Sequence, residues 1–149
     1  FSCDTPEKLD RVLGLFYRCR GRRKAFYMPL WVDELRPLGN TLDTSTTMTF
    51  AGPEIAEVYA NSLTYSKLLI RRFGKADVVV DVDSTYVDGA GNSVIVLTEA
   101  VTEDILLDDI MNINWIALVR LSSDRLTLDW ITGSVAQIYL NVMTLEESP

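Results

Sequence analysis

The pattern of hydrophobic and polar positions changes once along this chain. Over residues 6–19 the apolar side chains recur every three or four positions, which predicts an amphipathic α-helix with one buried stripe. This stripe consists of Leu9, Val12, Leu13 and Phe16. From residue 46 onwards the apolar positions alternate or form short β-branched runs, which predicts strands. We therefore expect one helix and a β-rich remainder.

Both ends of the helix carry residues with suitable conformational preferences. Thr5 is a good N-cap, and Pro6 loses no hydrogen bond at the first helical position. Gly21 is predicted to adopt the left-handed conformation that ends the helix. An aromatic strand is predicted directly afterwards, over residues 25–31, where Pro29 permits only a sheet edge or a strand end.

The other strands are predicted from short apolar segments between turn residues. Residues 76–82 and 93–98 are the clearest, because they are dense in β-branched residues and flank a glycine-rich turn at residues 88–92. Residues 54–61 fit either a short helix or a covering loop. The remaining predicted strands are residues 46–50, 63–72, 114–120, 126–131 and 135–145.

Charge is distributed unevenly along the 149 residues. The net charge is −7, but residues 1–40 contain eight Lys and Arg against five Asp and Glu, so they carry +3 and the remainder carries −10. This asymmetry suits head-to-tail contact between copies, although a solubilising acidic surface explains it equally well. The predicted assembly interface consists of Arg20, Arg22, Arg23, Lys24 and Trp31. Nucleic-acid binding is the alternative for this basic run, but a net acidic chain gives it a weak electrostatic footprint.

The composition restricts the available chemistry. The chain contains no His, which removes the usual general base of nucleophilic catalysis and the commonest zinc ligand. Cys3 and Cys19 flank the predicted helix roughly 20 Å apart, and we expect free thiols. The turn at residues 88–92 lacks the spacing of a dinucleotide, phosphate or calcium loop. We therefore predict no cofactor, no metal site and no enzymatic activity, with a carboxylate-dependent hydrolase as the weakest alternative.

Two segments carry a resemblance to a known family. In the first, a helix ends at a glycine beside basic residues and leads directly into an aromatic strand. Its matching residues are Leu9, Leu13, Phe16, Arg20, Gly21, Arg22, Phe26, Pro29, Leu30 and Trp31. This segment resembles the tail-tip (distal tail or minor tail) proteins of long-tailed bacteriophages and gene transfer agents. The second segment, residues 120–145, resembles the closing hairpin of similar phage tail proteins through Ser123, Asp124, Arg125, Leu126, Thr127, Leu128, Val135, Ala136, Gln137 and Ile138.

The resemblance implies a structural virion protein. Copies of the chain would form a homo-oligomeric ring that connects the tail tube to the baseplate or hub, after assembly in the cytoplasm of the bacterial host. The expected partners are other tail proteins, with no nucleic acid and no membrane. Such proteins carry a strand before the helix, so we expect further residues before Phe1. A carbohydrate- or receptor-binding module that contacts a host-surface glycan is the alternative function.

The predicted fold is α+β and β-rich. Residues 1–38 and 119–149 are expected to form a discontinuous core, in which the amphipathic helix covers a sheet completed by the C-terminal hairpin. Residues 39–118 are expected to form an inserted small β-barrel or sandwich. The reason is that the apolar stripe of the helix needs a sheet face to cover it, and the alternating C-terminal segment offers one.

Overall fold

The structure, a computed structural model, describes residues 2–30, 35–60, 62, 64–132 and 135–145. With 41% of its residues in strands and 19% in helices, the protein is mixed and sheet-rich, and its sheets are antiparallel. The predicted β-rich α+β class is therefore confirmed. The strands within the described ranges form no closed barrel, so the predicted barrel is not confirmed.

The chain divides into two compact units. The terminal unit contains Phe1–Tyr27 and Leu118–Glu146, and the central unit contains Met28–Ala117 together with Glu147–Pro149. In the sequence-based division, by comparison, the first segment ended at residue 38 and the last began at residue 119. The two divisions therefore differ mainly in where the aromatic segment after the helix is assigned.

The terminal unit is built from the first helix and short antiparallel strands. Its elements are β1 (Ser2–Cys3), α1 (Pro6–Cys19), the start of β2 (Phe26–Pro29), the end of β7 (Ile110–Leu121), β8 (Thr127–Trp130), β9 (Ala136–Tyr139) and β10 (Val142–Thr144). Three of these strands form a sheet in the order β1-β9-β8. Strand β10 pairs instead with residues 119–121 of β7. The two cysteines are buried and free, as predicted.

Helix α1 begins as predicted, and its C-cap lies one residue before the predicted cap. The Oγ1 atom of Thr5 accepts a hydrogen bond from the backbone N–H of Lys8 at 3.3 Å, and Pro6 occupies the first turn. The C-cap is Arg20, with a left-handed φ of 50°, and Gly21 follows with a φ of 61°. The prediction that Gly21 itself caps the helix was therefore wrong by one position.

The predicted apolar stripe of α1 is less buried than expected. Leu9, Val12, Leu13 and Phe16 are half-buried, and Cys19 is the fully buried residue of the helix. A small unit with short strands has too little apolar surface to cover a helix face completely, because a smaller unit buries a smaller fraction of its surface on folding. The stripe therefore stays partly accessible within the part of the chain described here.

The last predicted strand is in fact two strands in different sheets. Residues 137–142 alternate between polar or amphipathic and aliphatic side chains across the break, so the pattern predicts one continuous strand over residues 135–145. In the structure the chain changes partner between β9 and β10. At the break, the carbonyl of Asn141 accepts hydrogen bonds from the N–H and the hydroxyl of Ser122, at 2.9 and 3.0 Å. Alternation shows which face a side chain occupies, but not which strand lies beside it.

The central unit is an antiparallel sheet with one short helix. Its elements are β3 (Thr47–Phe50), α2 (Glu54–Tyr59), β4 (Lys67–Arg72), β5 (Val78–Val87), β6 (Ser93–Leu97) and the first part of β7, with strand order β7-β4-β5-β6-β3. The core of this unit consists of Leu35, Met48, Phe50, Leu68, Ile70, Ile95, Leu97, Val101, Ile105, Ile113 and Trp115. The ambiguous segment at residues 54–61 is thus helical over Glu54–Tyr59, and residue 61 lies outside the described residues. No helix in the described part of the chain is long and apolar enough to cross a membrane.

A buried hydroxyl fixes the start of α2. Pro53 precedes this helix and offers no side-chain cap. The Oγ atom of Ser93, on strand β6, accepts the N–H of Ala56 at 3.0 Å and donates to the carbonyl of Gly52 at 2.7 Å. Because Ser93 is fully buried, these two bonds satisfy groups that water does not reach.

Candidate assembly interface

The basic run after α1 is held in place by a carboxylate from a distant part of the chain. Gly21–Arg23 forms a short 3-10 turn. The Oδ1 atom of Asp124, in the loop after β7, accepts the backbone N–H of Arg22 at 2.8 Å, and its Oδ2 atom lies 3.0 Å from the Nε atom of Arg22. The two residues are 102 positions apart in sequence and belong to the same unit.

The ion pair between Arg22 and Asp124 contributes little stability by itself. Both side chains are more than half exposed, and exposed pairs contribute about 0–1 kcal/mol. The stronger constraint is steric. Gly21 is buried and has a left-handed φ of 61°, and a β-carbon at this position would overlap the carboxylate of Asp124. Only glycine allows the turn to approach Asp124 this closely.

A concave surface of about 520 Å³ lies beside this turn, and we name it the basic groove. It is lined by Phe16, Tyr17, Arg20, Gly21, Arg23 and Asp124. Tyr17 is 71% exposed, and the side chains of Arg20 and Arg23 are exposed as well. Within the described ranges neither arginine takes part in an ion pair, whereas both oxygens of Asp124 are occupied by Arg22. The groove therefore combines an aromatic surface with two available guanidinium groups.

The residues predicted as an assembly interface have different positions. Arg20 and Arg23 line the basic groove, and Arg22 is bound to Asp124. Lys24 is exposed at the end of the 3-10 turn, where its N–H donates to the carbonyl of Cys19. Trp31 lies outside the described residues.

Asp124 and Tyr17 were not among the predicted site residues. Asp124 belongs to the second segment that resembles phage tail proteins, but nothing in the sequence indicates that it contacts the basic run. Tyr17 follows Phe16 directly, and a helical periodicity assigns it to the solvent face. The exposure of Tyr17 beside two arginines could therefore be predicted from the sequence, whereas the contact made by Asp124 could not.

The central unit presents an acidic turn, which we define as residues 103–109. Ile105 at its centre is fully buried and exchanges two backbone hydrogen bonds with Thr41, at 2.8 and 2.9 Å. The N–H of Leu107 donates to the Oδ1 atom of Asn40 at 2.9 Å. The Oδ1 atom of Asp104 accepts the N–H of Asp43 at 2.8 Å. Four hydrogen bonds and one buried side chain thus fix its conformation.

The outer surface of the acidic turn combines apolar and acidic side chains. Leu106 and Leu107 are 37% and 38% exposed, and Asp104 and Asp108 are exposed beside them. Exposed leucines that adjoin carboxylates on a fixed turn are typical of a contact surface rather than of a purely solubilising one.

A buried arginine anchors one end of the acidic turn. The guanidinium of Arg72 donates to the carbonyl of Ala76 at 2.8 and 3.0 Å and to Glu103 at 2.9 Å. The hydrogen bond from Arg72 and its positive charge lower the pKa of Glu103, and the same hydrogen bond and the negative charge of Glu103 raise the pKa of Arg72. At the other end, the Nζ atom of Lys75 lies 2.6 Å from the Oδ2 atom of Asp109.

The two units carry opposite net charges. Residues 1–27 and 118–146 contain nine Lys and Arg against six Asp and Glu, so their net charge is +3. The rest of the chain contains five Lys and Arg against fifteen Asp and Glu, so its net charge is −10. In the described ranges, no group of three or more Cys, Asp or Glu is arranged to hold a metal ion. The geometry thus offers charged contact surfaces.

Comparison with known proteins leaves the family open. Neither the models of known protein families nor the curated proteins contain a match to this chain. The resemblance to phage tail-tip proteins therefore stays a prediction, and the function has to be argued from the surfaces described above.

Substitution of Gly21 tests the contact with Asp124. Gly21→Val is expected to lower the free energy of unfolding by about 1–3 kcal/mol, because it forces a β-branched residue into a left-handed conformation against the carboxylate. Gly14→Ala is the control, since Gly14 lies within α1 with open space around it, and a gain of about 0.5–1 kcal/mol is expected. Urea denaturation followed by circular dichroism measures both. An unchanged midpoint for Gly21→Val would contradict the assignment.

The acidic turn makes stability depend on pH. A carboxyl group whose pKa is lowered on folding stabilises the protein above its ordinary pKa of 4.5, and this contribution disappears as the pH falls through the lowered value. Between about pH 5 and pH 3 we expect the wild type to lose more stability than Glu103→Gln. Unfolding in urea at several pH values measures this difference. Glu99→Gln, an exposed position without an ion pair in the described structure, should keep the wild-type pH dependence.

Proposed function

We propose that this chain is a structural virion protein of a bacteriophage tail tip, where copies form a ring that connects the tail tube to the baseplate or hub. One observation carries the proposal. The two segments that resemble tail proteins are distant in sequence, yet most of the first and all of the second belong to the terminal unit. The hydrogen bond between Arg22 and Asp124 joins them across 102 positions. Chance similarities in unrelated segments have no reason to meet in one unit.

The charges of the two units support a ring. A surface that binds a different surface of the next copy generates a closed ring when the rotation between copies closes. Net charges of +3 and −10 on the two units suit such a heterologous contact, because unlike charges favour the head-to-tail pairing and oppose like-with-like pairing.

The proposal includes the finer architecture predicted from the sequence. In it, α1 covers a sheet in a discontinuous core, and the central unit forms an inserted small sandwich-like domain. The sequence-based limits of that core, residues 1–38 and 119–149, become residues 1–27 and 118–146. The discontinuous terminal unit and the single core of the central sheet support this organisation. We also propose that the chain has no enzymatic activity, in keeping with the absence of His from the sequence.

The location and partners follow from the same proposal. The chain would be assembled in the host cytoplasm and would reside in the tail of the virion, in contact with tube and hub proteins. Neither nucleic acid nor a membrane is proposed as a partner. The net negative charge of the central unit supports the exclusion of nucleic acid, because it repels a phosphate backbone.

A glycan-binding module has one feature in its favour. The indole of Trp130, on strand β8, is 60% exposed. Small-ligand sites are usually concave, and Trp130 does not line the basic groove. Trp31, in the predicted aromatic strand, lies outside the described residues. Assembly therefore explains more of the surface than glycan binding does.

Immunogold electron microscopy tests the proposed location. Antibodies raised against the purified chain are expected to label the tip of the tail on intact particles from the organism that encodes it. The same antibodies, absorbed beforehand with the purified chain, provide the control. Gold on the capsid alone, or no specific gold on tailed particles, would contradict a role at the tail tip.

A further inference from the structure

We infer that the basic groove of one copy binds the acidic turn of a second copy, an inference that rests on the ring proposed above. The groove offers Arg20 and Arg23 beside the rings of Phe16 and Tyr17. Guanidinium groups bind carboxylates through paired hydrogen bonds, and aromatic rings accept apolar side chains. Tyr and Arg are also the residue types that contribute most to protein interfaces. The matching partner is a segment with both carboxylates and exposed aliphatic groups.

The basic groove is arranged before any partner binds. Arg22 occupies both oxygens of Asp124, so the one carboxylate in the groove is already neutralised. Gly21 fixes the turn from which Arg23 projects, since its left-handed φ fits against Asp124. A surface that is already ordered loses less conformational entropy on binding. The two free guanidinium groups are therefore the part of the groove that still lacks a partner in the described structure.

The acidic turn has the complementary composition and is equally well ordered. Leu106 and Leu107 supply exposed aliphatic groups, while Asp104 and Asp108 supply carboxylates on either side. The side chain of Ile105 packs in the core of the central unit, and its two backbone hydrogen bonds to Thr41 hold the turn in place. Neither the basic groove nor the acidic turn therefore has to fold or reorder before the inferred contact forms.

Charge complementarity favours a second copy of the same chain as the partner that binds the basic groove. The acidic turn lies in the unit of net charge −10 and the groove lies in the unit of net charge +3. Attraction between the unlike units therefore favours the orientation in which the groove of one copy faces the acidic turn of the other. A nucleic acid would meet the same two arginines, but the net charge of −7 on the chain repels a phosphate backbone.

Charge reversal at one residue on each surface tests this contact. The variants are Arg23→Glu and Asp108→Arg, both at exposed positions, and sedimentation velocity over a range of protein concentrations measures assembly. The wild type is expected to assemble, and each variant alone should assemble at least about tenfold more weakly. An equimolar mixture of the two variants should recover assembly, because every groove then meets a turn of opposite charge. This recovery also shows that both variants are folded.

Two control variants carry the same change in charge at other exposed sites. Arg11→Glu lies on α1 outside the groove, and Glu57→Arg lies on α2 outside the acidic turn, so both should assemble like the wild type. Assembly that is unaffected by Arg23→Glu and Asp108→Arg would overturn the inferred contact and leave the proposed ring intact. A wild type that stays monomeric at every concentration would overturn the contact and count against the ring as well.

Discussion

The terminal unit depends on the close approach of Asp124 to the turn that follows the first helix. This one carboxylate accepts the backbone N–H of Arg22, pairs with its guanidinium and occupies the space where a β-carbon of residue 21 would lie. The contact determines three things together: the direction in which the chain leaves α1, the requirement for glycine, and the arginines that remain available. Its energy as an ion pair is small, so its importance is geometric.

The same contact separates structural charges from charges that are free to bind. In the terminal unit, Arg22 is paired whereas Arg20 and Arg23 are exposed beside aromatic rings. In the central unit, Glu103 and Asp109 are paired with Arg72 and Lys75, whereas Asp108 is exposed beside two leucines. Each unit thus keeps unpaired charges of one sign next to an apolar surface, which is the arrangement expected for two halves of a heterologous interface.

Local features of the fold were predictable from the sequence, and long-range ones were not. Thr5 and Pro6 mark the start of α1 because capping depends on neighbouring residues only. The change of partner between β9 and β10 was missed because alternation continues through it. At the candidate site, the positive charge of the run from Arg20 to Lys24 was evident from the sequence. Which arginines stay available depends on Asp124, because it pairs with Arg22 and not with Arg20 or Arg23. A contact across 102 positions leaves no local pattern.

A cryo-electron microscopy reconstruction of purified tailed particles would test whether this chain is a ring-forming tail-tip protein. The structure of each unit can be fitted separately into density at the end of the tail tube. The account predicts a closed ring of copies there, with the terminal unit of each copy against the central unit of the next. A tail end that is fully explained by other proteins, with no density for this chain, would contradict the account.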